Sequence, residues 1–201
     1  MSRSICVALL RHAETAWNAE RRLQGRSDLG LSPDGVAQAV RWRLPADLVR
    51  LQGQGDVGWA VSPLRRTVET ARHLGAIAPI VEARLIERDG GDWTGLPLDA
   101  VDRLTSDTGW DSRPPRGESS TEVLARARAW LDEVATTPGP DAWVAVTHRG
   151  VIRVLVAAAV GWDLCSPAPF RFLPNRLHRI RRRGDGHLQL VTLNEPLLLD
   201  P

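Results

Sequence analysis

The sequence predicts an α/β fold, a three-layer sandwich in which a mainly parallel central sheet is flanked by helices. Short apolar runs typical of buried strands alternate with segments whose apolar residues recur at helical spacing. The chain has 201 residues. No linker rich in Ser, Gly or Pro divides it, so we expect residues 1–201 to form one domain.

The first half of the chain shows two strands, each followed by a polar segment. Residues 5–10 are continuously apolar, as expected for a parallel strand buried on both faces. A polar loop runs to about Leu31, where Ser32 and Pro33 predict the N-cap and first turn of a helix. Residues 58–61 predict a second strand, and the following Ser62 and Pro63 predict another helix start of the same kind.

The second half continues the alternation. Ser119 and Glu122 match a capping box, and apolar residues follow it at helical spacing to residue 134. Residues 143–146 predict a buried strand, and residues 150–160 a helix that Gly161 can end. The C-terminal part predicts a β-hairpin that turns at residues 184–186. The longest loop is expected at residues 107–117, which are rich in Pro, Gly, Asp and Arg.

Composition and charge exclude several classes of protein. The net charge is +2, and all 26 basic residues are Arg, which suits bidentate contacts to carboxylate or phosphate. Two cysteines are too few for a disulfide framework, and the apolar runs are too short for a signal peptide or a membrane span. We therefore expect a cytoplasmic protein without a membrane partner.

Two histidines follow strands of the predicted sheet. His12 comes after residues 5–10, and His148 comes after residues 143–146. In open α/β sheets, ligands bind outside the carboxyl ends of the strands. Arg11 also lies at such an end, and Arg66 lies in the first turns of a helix, where anion donors gather. A single histidine at a strand end is more often structural, but this set predicts an anion site.

Six segments, in order, resemble the histidine phosphatase superfamily, the phosphoglycerate-mutase-like proteins. They are "RHAETAWN", "LQGRSDLGLSPDG", "SPLRRTVETA", "LIERDGGDWTG", "PRGES" and "THRGVIR", which run from residue 11 to residue 153. Several positions depart from the family pattern, among them Ala13, Glu69, Gly90, Thr94 and Arg149. Ala13 replaces a usual Gly, which excludes a strained left-handed turn there. Arg149 replaces a small residue and either favours more anionic substrates or faces solvent.

The resemblance implies a phosphoglycerate-mutase-like fold and a role for each matching residue. His12 would attack phosphorus and form a phosphohistidine, with its other ring nitrogen bonded to an acceptor such as a backbone carbonyl. Glu87 would protonate the departing alkoxide and later activate water. The residues expected to hold the phosphate are Arg11, Asn18, Arg66, a protonated His148 and Arg149. With so many cationic donors, neither a metal nor another cofactor is expected.

The resemblance also favours phosphatase over mutase activity. Related mutases are longer, and they carry a Tyr where this chain has Gly90; the chain contains no Tyr. We therefore expect a hydrolase acting on a small phosphomonoester. The alternatives within this fold are phosphoglycerate-mutase-type transfer and binding of a phospho-ligand without turnover. The resemblance allows a homodimer, although the residues themselves carry no sign of oligomeric state.

Two unrelated functions are weaker interpretations. Cys165 and Arg171 have the C-x5-R spacing of cysteine phosphatases, but Pro167 and Pro169 lack the backbone N–H groups that such a loop aims at phosphate. The Arg-rich hairpin at residues 179–187 could contact nucleic acid. Because no aromatic residues interleave with those arginines, we expect a solvated hairpin end and no nucleic-acid partner.

Overall fold

The computed structural model describes residues 2–104 and 109–199. It contains a six-stranded sheet, a two-stranded sheet and helices on both sides of the larger sheet. The strands are β1 (Ile5–Arg11), β2 (Trp42–Arg43), β3 (Val57–Val61), β4 (Ile80–Val81), β5 (Ala142–Thr147), β6 (Arg176–Arg182), β7 (Leu188–Pro196) and β8 (Leu198–Leu199). The α-helices are α1 (Ala16–Ala19), α2 (Pro33–Arg41), α3 (Ala46–Gln54), α4 (Arg65–His73), α5 (Leu98–Leu104), α6 (Ser120–Thr136) and α7 (Arg149–Val160).

The large sheet has the strand order β4-β3-β5-β1-β6-β7. The first four of these strands are parallel to one another, β6 is antiparallel to β1, and β6 and β7 form the predicted antiparallel hairpin. β1 and β5 are adjacent, with Arg11 opposite Thr147 at their carboxyl ends. The residues that follow, His12 and His148, therefore leave the sheet side by side. The predicted α/β class is confirmed, with a sheet that is mixed but mostly parallel.

The two faces of the sheet bury two separate apolar layers, because successive side chains of a strand point in opposite directions. In β1, Val7 and Leu9 pack into one layer, and Ala8 and Leu10 into the other. The first layer also receives α6 and α7, whose buried residues include Val123, Trp130, Leu131 and Leu155. The second receives α2, α3 and α4 through residues such as Ala39, Leu48 and Ala71. This is the three-layer arrangement that the sequence predicts.

Several predicted helix ends are confirmed by their hydrogen bonds. Ser32 accepts a hydrogen bond from the N–H of Gly35 at the start of α2. Ser119 and Glu122 form the capping box of α6, in which each side chain bonds to the other residue's backbone N–H. Gly161 ends α7 with φ 71°, a left-handed conformation that glycine adopts without a steric penalty.

The helix start predicted at Ser62 and Pro63 is wrong. α4 begins at Arg65, with Leu64 in the N-cap position and no side-chain cap. Ser62 is fully buried. Its hydroxyl lies 2.7 Å from His148 Nε2, and it accepts only a longer hydrogen bond, of 3.4 Å, from the N–H of Leu64. The predicted polar loop before Leu31 also contains the single turn α1. Of the loop predicted at residues 107–117, the first two residues lie outside the described chain, and 109–117 form no helix or strand.

His178 of β6 should make the stability of the fold depend on pH. Its ring is buried against Phe172, and burial lowers its pKa from 6.5 to about 4. Between these values the unfolded chain binds a proton that the folded chain does not, so stability falls as pH falls from about 6.5 to about 4. The contribution is about 1.4 kcal/mol per pH unit at most.

Urea unfolding at several pH values in this window checks the prediction. His178→Gln should flatten the dependence, and His187→Gln, at the exposed hairpin end, is the matched control. An equally steep dependence in His178→Gln and the wild type would contradict it.

Candidate active site

His12 and His148 meet at the carboxyl edge of the sheet. Their ring centroids are 5.3 Å apart and the ring planes are inclined by 58°. Both side chains are buried, and the charges of Arg11 and Arg66 act on both rings. The four residues that the sequence predicts as an anion site are therefore brought together in space.

The structure defines which nitrogen of His12 is available. Nδ1 lies 2.7 Å from the carbonyl oxygen of Ala13. Because a carbonyl can only accept, Nδ1 carries the hydrogen and Nε2 keeps its lone pair. Burial, followed by the charges of Arg11 and Arg66, lowers the pKa of His12 well below its ordinary value. His12 is thus a neutral imidazole whose Nε2 carries no hydrogen.

Ala13 supports this geometry with ordinary backbone angles. It is absent from the left-handed region, as its Cβ requires. Its N–H donates to Thr70 Oγ1, and that hydroxyl donates to the carbonyl of Arg66. The peptide that orients His12 is thereby connected to the helix that carries Arg66.

His148 is held by a residue that the sequence interpretation assigned elsewhere. Its Nε2 lies 2.7 Å from Ser62 Oγ, and its buried Nδ1 has no hydrogen-bond partner among the described residues. Burial and the neighbouring His12, Arg66 and Arg11 lower the pKa of His148 well below its ordinary value. The protein groups alone therefore favour a neutral ring over the protonated form expected from the sequence.

Ser62 could have been found by the rule that located the two histidines. It directly follows β3, which is parallel to β5 and next to it in the sheet, and its N–H donates to the carbonyl of Val146. The Ser-Pro pair was interpreted through its local helix-start chemistry. The pairing of β3 with β5, which are distant in the sequence, places Ser62 beside His148 and so overrides the local preference of the Ser-Pro pair for a helix start.

Ser62→Ala should destabilise the fold by about 1–3 kcal/mol, because it leaves the buried Nε2 of His148 without a partner. Urea unfolding measures the loss, and Ser4→Ala, at an exposed serine, is the control. A Ser62→Ala variant as stable as the control would show that this hydrogen bond does not orient His148.

Arg66 is completely buried, which is unusual for a charged side chain. Its guanidinium donates to the carbonyls of Ser27 at 2.6 Å and Gly25 at 2.9 Å, while its buried Nε has no partner among the described residues. Burial lowers its pKa to about 10, and Glu87 opposes that shift. Arg66 is therefore still charged at neutral pH, and two backbone carbonyls fix its orientation.

Glu87 lies at the N-terminus of α7. Its carboxylate accepts hydrogen bonds from the N–H of Gly150, at 3.1 and 3.4 Å, and from the N–H of Arg88 at 2.8 Å. A Cβ on residue 150 would lie 2.4 Å from Glu87 Oε1, so only glycine permits this approach. The carboxylate is thereby held in the wall of the same cleft as His12.

Asn18 and Arg149 also line this cleft. Asn18 completes a capping box at the start of α1, in which its Oδ1 accepts from the N–H and hydroxyl of Thr15. That use of Oδ1 leaves the amide Nδ2 as a donor, and Thr15 is the N-cap of α1. Arg149 is exposed at the first position of α7.

The cleft has a volume of about 520 Å³. Its lining includes the four residues Arg11, His12, Arg66 and Glu87, further polar and charged side chains, and apolar side chains such as Trp93, Leu98 and Leu164. In residues 2–104 and 109–199, no three His, Cys, Asp or Glu side chains are grouped as metal ligands. Within the same residues, no helix has the length and hydropathy needed to cross a membrane.

Comparisons with known proteins identify the family. Residues 7–196 match the model of the histidine phosphatase superfamily, branch 1. A probable phosphoglycerate mutase, GpmB, of Yersinia pestis is 33% identical over 167 residues, which cover 77% of this chain and 74% of the relative.

Solved structures give the same result. A mycobacterial glucosyl-3-phosphoglycerate phosphatase complexed with VO3 is 30% identical, with a TM-score of 0.77, and the match covers 96% of this chain and 100% of that one. A second mycobacterial hydrolase is 28% identical, with a TM-score of 0.78 over 98% of this chain and 94% of that one. The chain therefore belongs to the histidine phosphatase superfamily, and its relatives include phosphatases and phosphoglycerate-mutase-like proteins.

Proposed function

We propose that this protein hydrolyses small phosphomonoesters through a phosphohistidine on His12, without a metal or other cofactor. The observation that carries the proposal is the hydrogen bond from His12 Nδ1 to the Ala13 carbonyl. It leaves the Nε2 lone pair free in the cleft that Arg11 and Arg66 also line, which is what nucleophilic attack on a phosphoryl group requires.

In the first step, Nε2 of His12 bonds to phosphorus, and the bond from phosphorus to the ester oxygen breaks. Arg11 and Arg66 stabilise the negative charge on the phosphoryl oxygens, and their orientation costs no rearrangement at the moment of reaction. The partnerless Nδ1 of His148 is the atom available to donate to one of these oxygens. The dianion would also favour a protonated His148, which the protein groups alone do not.

Glu87 moves the protons. Its protonated carboxyl gives a proton to the departing alkoxide, which leaves as an alcohol. A water molecule then gives a proton to the Glu87 carboxylate while its oxygen bonds to phosphorus. The bond from His12 Nε2 to phosphorus breaks, and inorganic phosphate is released. The enzyme thereby returns to its initial state. Throughout the reaction, the Asn18 amide is a further hydrogen-bond donor to the phosphate.

Transfer of the phosphoryl group to another hydroxyl is the second candidate, because the Yersinia relative is named as a probable phosphoglycerate mutase. The shorter chain and the Gly90 in place of Tyr favour water as the acceptor. Both reactions use the same phosphohistidine and differ only in what accepts the phosphoryl group.

A hydrolysis screen tests the proposal. Sugar phosphates, nucleotides, phosphoglycerates, phosphopeptides and an aryl phosphate are incubated with the purified protein, and phosphoglycerate isomerisation is followed in parallel. We expect phosphate release that is unchanged by EDTA, because the catalytic groups are all side chains. Activity that EDTA removes and a divalent ion restores would overturn the metal-free mechanism, and isomerisation exceeding phosphate release would replace hydrolase by mutase.

A further inference from the structure

Two arginines extend the cationic surface of the cleft along α7. Arg149 is the first residue of the helix, Arg153 lies four residues later, and both line the cleft. Residues four apart lie on the same face of an α-helix, with their Cα atoms about 6 Å apart along the axis. The two guanidinium groups are therefore carried by successive turns of one wall of the cleft.

Neither arginine has a carboxylate partner. Among the described residues, no Asp or Glu lies within ion-pair distance of Arg149 or Arg153, and neither guanidinium donates a hydrogen bond to another residue. Two other cleft arginines differ in this respect. Arg22 pairs with Glu20, and Arg88 donates to the carbonyls of Glu118 and Ser112.

The acidic residues of the cleft do not neutralise this pair. The Glu87 carboxylate accepts hydrogen bonds from backbone N–H groups. The Asp89 carboxylate forms an ion pair with Arg26, with 3.7 Å between Oδ2 and the guanidinium nitrogen. Asp102, on α5, also lines the cleft but forms no ion pair with either arginine of α7. The helix α7 thus presents two positive charges to the cleft without a counter-charge among the described residues.

Arg153 also contacts an aromatic ring. It is exposed, and its guanidinium carbon lies 4.8 Å from the ring centroid of Trp162, a cation–π contact, while Trp162 Nε1 donates to the carbonyl of Ser166. Partial burial, with the charges of Arg149 and Arg88, lowers the pKa of Arg153. A contact of this kind restricts the arginine side chain before it binds an anion and so reduces the entropy lost on binding.

The position of Glu87 shows which end of a substrate would reach these residues. Its carboxylate accepts from the N–H of Gly150, which is adjacent to Arg149 in the chain. In the proposed reaction Glu87 protonates the leaving oxygen, so the alcohol that carries this oxygen departs next to the start of α7. The alcohol, and not the phosphoryl group, is the part of the substrate that can extend along Arg149 and Arg153.

We propose that Arg149 and Arg153 bind a second anionic group, a carboxylate or a second phosphate, on the alcohol portion of the substrate. The inference rests on the proposed function. It assigns Arg149 to the leaving-group end of the cleft rather than to the phosphate-binding set in which the sequence interpretation placed it. It also makes the substrate class a phosphomonoester with at least one further negative charge.

Matched substrates that differ in one anionic group test this assignment. The carboxylate pair is 3-phosphoglycerate and glycerol 3-phosphate, and the phosphate pair is glucose 1,6-bisphosphate and glucose 6-phosphate. For each pair, kcat/KM of the anionic member is divided by that of the other member. The pair that shows a preference identifies the source of the second charge.

The variants are Arg149→Gln, Arg153→Gln, the double variant, and Arg181→Gln as the control. Arg181 is exposed on β6 opposite Cys6, at the other end of the strands from Arg11. We expect the wild type to prefer the anionic member of at least one pair. The double variant should lower this ratio about 10- to 100-fold, each single variant should lower it less, and Arg181→Gln should leave it unchanged.

The outcomes separate this inference from the proposed function. The role of Arg149 and Arg153 is overturned if the wild type hydrolyses both members of each pair equally, or if its preference persists in the double variant. The proposed phosphatase function is unaffected by either result. A loss that is equal for both members of a pair assigns the arginines to the common phosphoryl group and likewise overturns their proposed role. Absence of His12-dependent hydrolysis of every substrate overturns the proposed function itself.

Discussion

His12→Ala should eliminate the phosphoenzyme and reduce kcat about 10⁴-fold or more, since a reaction that proceeds through a covalent intermediate loses its pathway with its nucleophile. The hydrogen bond from His12 Nδ1 to the Ala13 carbonyl places the ring hydrogen on Nδ1. Nε2 is therefore left unprotonated, with its lone pair free. Alanine supplies no atom that can bond to phosphorus.

The measurement uses a ³²P-labelled substrate and a rapid quench. Phosphohistidine is labile in acid, so label on the wild type should survive an alkaline quench and be lost in acid. His187→Ala, at the exposed hairpin end, is the matched control, and His12→Asn provides a second variant of similar polarity. Labelled protein in both folded His12 variants would assign the covalent step to another residue.

Glu87→Gln should slow the hydrolysis of alkyl phosphates about 10²- to 10⁴-fold and that of p-nitrophenyl phosphate much less. General acid catalysis contributes most when the leaving oxygen is strongly basic, and a nitrophenolate departs without a proton. The Gln side chain is close in shape to Glu, and its amide oxygen can still accept from the N–H of Gly150. The substitution therefore removes the transferable proton and preserves the position of the group.

Rates for a series of aryl and alkyl phosphates give the dependence on leaving-group pKa for wild type and variant. Glu133→Gln, an exposed glutamate on α6, controls for the change of charge. A steeper dependence in Glu87→Gln supports its role as the proton donor. Equal slowing of good and poor leaving groups would instead make Glu87 a residue that positions the α7 terminus.

Much of the fold could be predicted from local signals. The strand at the start of the chain is continuously apolar because both its faces are covered, and this is visible in residues 5–10 alone. The capping box of Ser119 and Glu122 and the left-handed Gly161 are equally local, because each depends on residues within one helical turn. The short elements α1, α3 and α5 were not predicted, since four to nine residues carry little periodicity and, unlike α2 and α4, none of the three follows a Ser-Pro pair.

The candidate site was predicted through two strand ends and a family resemblance, and the structure brings those residues together. The sequence could not reveal the partners that orient them. Arg66 is fixed by carbonyls from residues about forty positions earlier, and Glu87 by an N–H more than sixty positions later. Ser62 was assigned to a helix start because its own neighbourhood resembles one.

The sequence by itself determined the α/β class and most of the strands and longer helices, because those properties depend on periodicity and capping within short segments. The residues proposed to handle a phosphoryl group were identified through resemblance to a family, whose motifs are also short segments. Only the tertiary structure decided that β1 lies beside β5, that the Ser62 hydroxyl forms a hydrogen bond with His148, and that two arginines of α7 without ion-pair partners line the cleft. These features depend on which distant segments pack together. Contacts of that kind arise from burial of the whole sheet, and no short segment encodes them.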